Sequence, residues 1–174
     1  MTLYHGSLEI VEHPLIREAN RPLDFGTGFY TTTSLQQARR WVKLRMEQNN
    51  VSHGYINQYE YTPQKGFKTR RFQSANEAWV DFVHANRTVQ DYSHDYDIVT
   101  GPVANDNVYL SFNLYESGII TKRELIRRLK TYKLVDQLLF HTEQSLATLK
   151  VGSIYSLFGH PNRQNPLICQ TTVF

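Results

Sequence analysis

The sequence predicts a mixed α+β domain, and three observations carry that expectation. Strand-length runs of alternating residues and segments with apolar residues at helical spacing follow one another along the chain instead of forming separate blocks. No internal repeat or low-complexity segment interrupts them. The 174 residues, 40% hydrophobic and 20% charged, suit one domain with its own core, spanning 1–174 and ending in a polar tail from about 159.

"MTLYHGS" reads as a short strand ending at Gly6, and the stretch after it, with Pro14 and Pro22, as a loop. "GFYTTT" forms a second strand. Ser34 then caps a helix from about Leu35 to Glu47, whose spacing of Leu35, Ala38, Trp41, Val42 and the stem of Arg45 predicts that Trp41 is buried and that Arg39, Arg40 and Lys43 are exposed. In "HGYINQYEYT" Tyr55, Asn57, Tyr59 and Tyr61 share one strand face, with Ile56, Gln58 and Glu60 on the other. "GFKTRRF" is extended. Ser74 caps a helix over Asn76 to Ala85 that buries Trp79, Phe82 and Val83, and "YDIVTGPV" is a strand stopped by Gly101 and Pro102. A helix from about Asp106 to Gly118 and another from Thr121 to Lys130, opened by the capping box "TKRE", come next. "LVDQLLFHT" is a strand, Thr142 caps the short helix "EQSLATL", and "KVGSIYSLF" is the last strand.

Composition narrows the function classes. The net charge of +3 arises from 19 basic and 16 acidic residues, too even a balance to argue for nucleic acid on charge alone. Arg39, Arg40, Lys43 and Arg45, and then Lys122, Arg123, Arg127, Arg128 and Lys130, read as solvated helix faces. Cys169 is the single cysteine, so an internal disulfide and a cysteine-based metal site are excluded, no metal is expected, and a reducing cytoplasm is the simplest setting. Neither a signal peptide nor an apolar run of about 18 residues is present, so no membrane association is expected.

No P-loop, GxGxxG, HExxH or GxSxG pattern occurs. Three strand ends hold the residues of interest: His5 in "LYHG", Tyr30 in "GFYTT", and the pair Asp136 and Gln137 in "DQLLFHT". On residue type alone, His5 is more often structural and Tyr30 more often packing. Asn105, Asp106 and Asn107 are more often helix-entry residues. Trp79, like Trp41, reads as core. His84, Asn86 and Arg87 read equally as cleft-lining residues and as a solvated helix end, and His141 shares the strand face of Gln137.

Together, "LYHGS", "DFGTGFYTT", "QARRW", "YDIVTGPVANDNVY" and "QLLFHT" resemble a bacterial family of uncharacterised domains in the NAD-dependent ADP-ribosyltransferase superfamily, over roughly Leu3 to Leu149. The resemblance implies a split, mainly antiparallel β-sheet core with flanking helices and NAD, as substrate, in the cleft. In the histidine-tyrosine-glutamate branch it implies that His5 bonds a ribose hydroxyl, that the Gly6 backbone holds the nicotinamide amide, and that Tyr30 stacks on the nicotinamide ring. Ser7, Gly28 and Phe29 would complete the dinucleotide site, with Asn105 and Asp106 at the cleft and Gly26 and Gly28 turning the chain beneath the ligand. The branch's glutamate is replaced by Gln137, which still hydrogen-bonds a hydroxyl but is no general base. Strand parity sends Asp136 to the opposite face, and Glu143 sits in the first turn of a helix, where the helix dipole accounts for it.

The chemistry behind this assignment is differential stabilisation. Breaking the nicotinamide–ribose bond builds positive character on the ribose, so a gain in rate comes from fixing the leaving group and setting dipoles near that charge. The resemblance implies transfer of ADP-ribose to an unidentified macromolecule, in a toxin or conflict-system effector with a neutralising antitoxin protein. NAD glycohydrolysis is the enzymatic alternative. A catalytically weak module binding NAD, ADP-ribose or nucleic acid is the non-enzymatic one.

Overall fold

A computed structural model of the chain describes residues 1–18, 23–103, 106–131, 134–159 and 168–172, with 106–107 and 168–172 described by their backbone alone. The described elements run β1 (Thr2–Ser7), β2 (Phe29–Thr32), α1 (Leu35–Asn49), β3 (His53–Tyr61), β4 (Thr69–Arg71), α2 (Glu77–Thr88), β5 (Ile98–Pro102), α3 (Asp106–Glu116), α4 (Lys122–Leu129), β6 (Asp136–Phe140), α5 (Glu143–Leu146), β7 (Leu149–Phe158) and β8 (Ile168–Thr172). The expected α+β class holds. β8, which pairs antiparallel with β7, lies in the stretch expected to be a polar tail.

The strands form one sheet in the order β4-β5-β6-β2-β1-β3-β7-β8. Only β4 and β5 run parallel; every other neighbouring pair is antiparallel. The join between β1 and β2 is the weakest seam near the centre. Tyr4 and Thr32 are its single registered pair, whereas β1 pairs with β3 along its whole length.

Helices α1 to α4 cover one face in two groups. Val99 of β5 and Leu139 of β6 meet Trp79, Val80 and Val83 of α2, Phe112 of α3, and Leu125 and Leu129 of α4. Ala38, Val42 and Met46 of α1 meet Ile56 of β3 and Leu157 of β7. On the opposite face Leu3, Phe29, Tyr59, Tyr61, Ile98, Leu138 and Phe140 pack with Leu146 and Leu149. The alternation of Leu138, Leu139 and Phe140 between these clusters is the period of two expected for a strand buried on both sides.

Several local expectations need correction. Trp41 is 41% exposed, and the buried stripe of α1 is Ala38, Val42 and Met46. The cause is the floor beneath the helix: a Cβ on Gly6 would lie 2.7 Å from the Ala38 carbonyl oxygen, and one on Gly54 would lie 2.5 Å from Val42 Cγ1. A helix seated so closely on two glycines has no room beneath it for an indole. Asn76, not Ser74, caps α2, its side-chain oxygen accepting from Trp79 N–H at 3.0 Å. At α4, Thr121 accepts from Glu124 N–H as expected, but the Glu124 carboxylate accepts from Arg127 and Arg128 instead of turning back to complete a capping box.

Candidate functional site

The candidate site centres on the seam between β1 and β2. His5 Nδ1 lies 2.7 Å from the Tyr30 carbonyl oxygen, so the ring donates from Nδ1 and its Nε2 is left as an acceptor. Phe29 stacks on the His5 ring at 4.4 Å between centroids and is itself held edge-on by Tyr59. Burial, with the Arg17 charge nearby, lowers the His5 pKa against the opposing pull of the Tyr30 hydrogen bond. At neutral pH the ring is therefore an uncharged, oriented acceptor beside the divergence of two strands.

The segment after β1 is tied down over this seam. Asn57, buried in β3, accepts from Val11 N–H at 2.8 Å and donates to the Glu9 carbonyl at 3.2 Å. The Tyr59 hydroxyl donates to the Val11 carbonyl at 2.6 Å. Ser7 Oγ accepts from Glu9 N–H, and Glu9, Ile10, Val11, Glu12, His13 and Arg17 line a shallow hollow of about 370 Å³. The role of Asn57 was missed at the level of sequence, although an amide among the tyrosines of a buried strand face is the signal that marks it.

Tyr30 faces the other way. Its hydroxyl donates to the Gly26 carbonyl at 2.8 Å and accepts from Phe25 N–H at 3.2 Å, closing the turn of "LDFGTG". Gly26 needs its residue type, since its φ is +83°. Gly28 needs to be small for a different reason: a Cβ there would meet the Phe140 carbonyl oxygen at 2.6 Å. The adjoining hydroxyls serve the sheet, Thr31 donating to the Leu138 carbonyl and Thr32 to the Asp136 carbonyl, both at 2.9 Å.

Two histidines and one ion pair brace the same turn. His141 donates from Nδ1 to the Thr27 carbonyl at 2.7 Å, and its ring meets His94 edge-on at 4.5 Å. Burial first, then the neighbouring His94, lowers the His141 pKa to about 4. Arg87 donates from Nε and Nη2 to Asp24 Oδ1 at 3.0 and 2.6 Å, with its guanidinium over the rings of Tyr109 and Phe112. Arg87 thus belongs to the turn's support and not to a solvated helix end. Asn86 Oδ1 lies close under Gly26, and His84 stands beside Glu116 and Tyr115.

Gln137 is 7% exposed and donates weakly from Nε2 to the Pro102 carbonyl at 3.5 Å. It forms one cross-strand row with Tyr4, Thr32 and Gly101. Asp136, of opposite parity, is exposed at the first position of β6, although Leu138 on the same face is buried. The structure brings the His5 ring to Phe29 and to the Tyr30 carbonyl on one face of the sheet, and sets the Tyr30 and Gln137 side chains on the other. No hydrogen bond joins His5 to Gln137 among the described residues. Asn105 lies outside the described residues, as does the side chain of Asp106.

A larger hollow of about 650 Å³ lies between α2 and α4, lined by Glu77, Thr121, Lys122, Arg123, Ile126, Arg127 and Lys130. Three of the cations in and beside it are already paired: Lys122 with Asp81 and Glu77, and Arg127 and Arg128 with Glu124. It shares no residue with the β1/β2 seam. No cluster of three or more histidine, cysteine, aspartate or glutamate side chains suited to a metal ion occurs among the described residues, nor is any helix among them long and apolar enough to cross a membrane.

A family model described as "Protein of unknown function (DUF3990)" matches residues 1–151. No curated protein and no solved structure matches the chain.

Proposed function

The chain belongs to the DUF3990 family, and we propose that it is an NAD-consuming ADP-ribosyltransferase. The observation that carries this reading is His5: a neutral imidazole, anchored through Nδ1 to the Tyr30 carbonyl, with Nε2 free to accept from a hydroxyl where β1 and β2 part after one registered pair. A ribose needs such an acceptor. The resemblance to the histidine-tyrosine-glutamate branch implies the same partner, a ribose hydroxyl, for a first-strand histidine.

In the proposed reaction the bond between the ribose C1′ and the nicotinamide nitrogen breaks, and nicotinamide leaves with the electron pair. A lone pair of the acceptor forms the new bond to C1′, and the acceptor's proton passes to solvent. His5 binds and orients the ribose, the Gly6 backbone and the Tyr30 ring hold the nicotinamide, and Ser7, Gly28 and Phe29 shape the surrounding wall. Asn105 and Asp106 belong to the same proposal as cleft residues. The acceptor is a macromolecule, and the setting is a cytoplasmic toxin with a neutralising partner protein.

Gln137 favours a second reading. Buried and uncharged, it can accept from a ribose hydroxyl but cannot take a proton, so the same cleft would bind NAD or ADP-ribose without turnover. Calorimetric titration with NAD separates the two when combined with an assay for released nicotinamide. The transferase reading expects saturable binding, lost in His5→Ala, together with nicotinamide release in the presence of a lysate. Binding with no release under any acceptor fraction supports the module, and no binding at all refutes both. In Gln137→Glu, the transferase reading expects faster release and the module reading expects none.

A further inference from the structure

The hollow between α2 and α4 gathers cations that the stability of α4 does not explain. Arg123, Ile126, Arg127 and Lys130 all line it, and their spacing of i, i+3, i+4 and i+7 puts them on one side of the helix, while Leu125 and Leu129 turn away into the core. The helical backbone continues through Lys130, the C-cap, so the spacing holds to its end. Lys122 is held by Asp81 and Glu77 of α2, and Arg127 gives Nε and Nη2 to Glu124, which leaves its Nη1 open. Arg123 and Lys130 are exposed and have no carboxylate partner among the described residues. Arg123 stands in the first turn of α4, where the helix dipole disfavours a cation, so its charge does not serve the helix.

We propose that this hollow binds a compact phosphate-rich anion, of the kind a short polyphosphate chain presents. Arg123 to Lys130 spans about 10 Å along the helix, which sets two guanidinium groups and one ammonium group in a row. A guanidinium fork matches two oxygens of one phosphate, and the ammonium adds a mobile point charge at the end of the row. The volume of about 650 Å³ suits a small ligand. A long polyanion would have to run on past carboxylates: Glu77 and Asp81, 71% and 53% exposed on α2, bound the hollow on one side, and Glu124 lies beside Arg127 on the other. A ligand confined to the row between them avoids that repulsion. The hollow shares no residue with the β1/β2 seam, so the proposal does not rest on the transferase reading.

The test is calorimetric titration of the full chain with sodium tripolyphosphate at fixed ionic strength and without divalent cations. Saturable binding at one site is expected, weakening as salt is raised. Arg123→Gln combined with Lys130→Gln should weaken it about tenfold or more. Arg39→Gln combined with Arg40→Gln removes the same charge from exposed positions of α1 and should leave it unchanged. Glu77→Gln removes the one carboxylate that lines the hollow and should tighten binding about threefold. All these positions are exposed, and thermal unfolding of the variants should match wild type. No saturable binding, equal weakening by the two double variants, or no tightening in Glu77→Gln would overturn the proposal. So would tighter binding of a 12-nucleotide oligodeoxythymidylate or of polyglutamate at the same residues, which would make the occupant an extended polymer. NAD titrated into the Arg123→Gln, Lys130→Gln variant should behave as with wild type; a loss there would assign the hollow to the dinucleotide and equally overturn the proposal. Because tripolyphosphate binding is read without NAD, its failure leaves the transferase reading standing, and an absence of NAD turnover leaves the anion site standing.

Discussion

At the scale of single residues, the account turns on imidazoles held neutral for different ends. His5 is oriented by one carbonyl and one aromatic stack, which leaves Nε2 for a ligand. His5→Phe keeps a ring against Phe29 but removes both nitrogens, so NAD affinity should fall about tenfold or more while the fold persists, as calorimetry and circular dichroism would record. His141 works on the fold. Its pKa is near 4 in the folded chain against an ordinary 6.5, so the unfolded chain takes up the proton first. Its contribution to stability is therefore complete above about pH 6.5 and declines as pH falls towards 4. The melting temperature should drop across that window in wild type, and the drop should be smaller in His141→Gln, where an amide can still donate to the Thr27 carbonyl. Parity within one strand was legible from the sequence: Asp136 and Gln137 point to opposite faces of β6, as alternation requires. The anchoring of His5 to Tyr30 was not legible, because it joins residues 25 positions apart through a side chain and a backbone atom.

At the scale of elements, small residues decide how closely the pieces approach. Gly6→Ala would drive a methyl group into the Ala38 carbonyl and Val42 Cγ2, lifting α1 from β1 at a cost of about 1–3 kcal/mol, measurable by denaturant unfolding. The same contact explains why Trp41 was misread from sequence. Ala38, Trp41, Val42 and Arg45 fit a helical stripe as well as Ala38, Val42 and Met46 do, and only the glycine floor, supplied by two distant strands, selects the second. The turn preceding β2 depends on α2 through Asp24 and Arg87, whose side chains are largely buried. Asp24→Ala leaves that guanidinium without its charge partner and should cost about 3 kcal/mol, more than the loss of an exposed pair such as Lys68 and Asp95. Helix starts were the most legible feature: Ser34, Thr121 and Thr142 each accept a backbone N–H where hydroxyl residues precede an apolar period. β8 was not, because a short edge strand after a long polar stretch has no pattern of its own until β7 supplies its partner.

At the scale of the molecule, the sheet has a central seam, helices α1 to α4 in two groups over one face, and α5 and a covered segment beside His5 on the other. The sequence patterns reached the α+β class because each strand and helix carries its own period, but strand order follows from pairings between distant segments and required the structure. The dinucleotide proposed as substrate would lie across that seam. The most direct test of the central claim is incubation of the chain with NAD labelled on the adenylate phosphate, together with separate protein, RNA and DNA fractions, comparing wild type with His5→Ala. The account predicts label transferred to one fraction by wild type, with nicotinamide released in step, and none by the variant. NAD left intact and unbound by wild type in every fraction would contradict it.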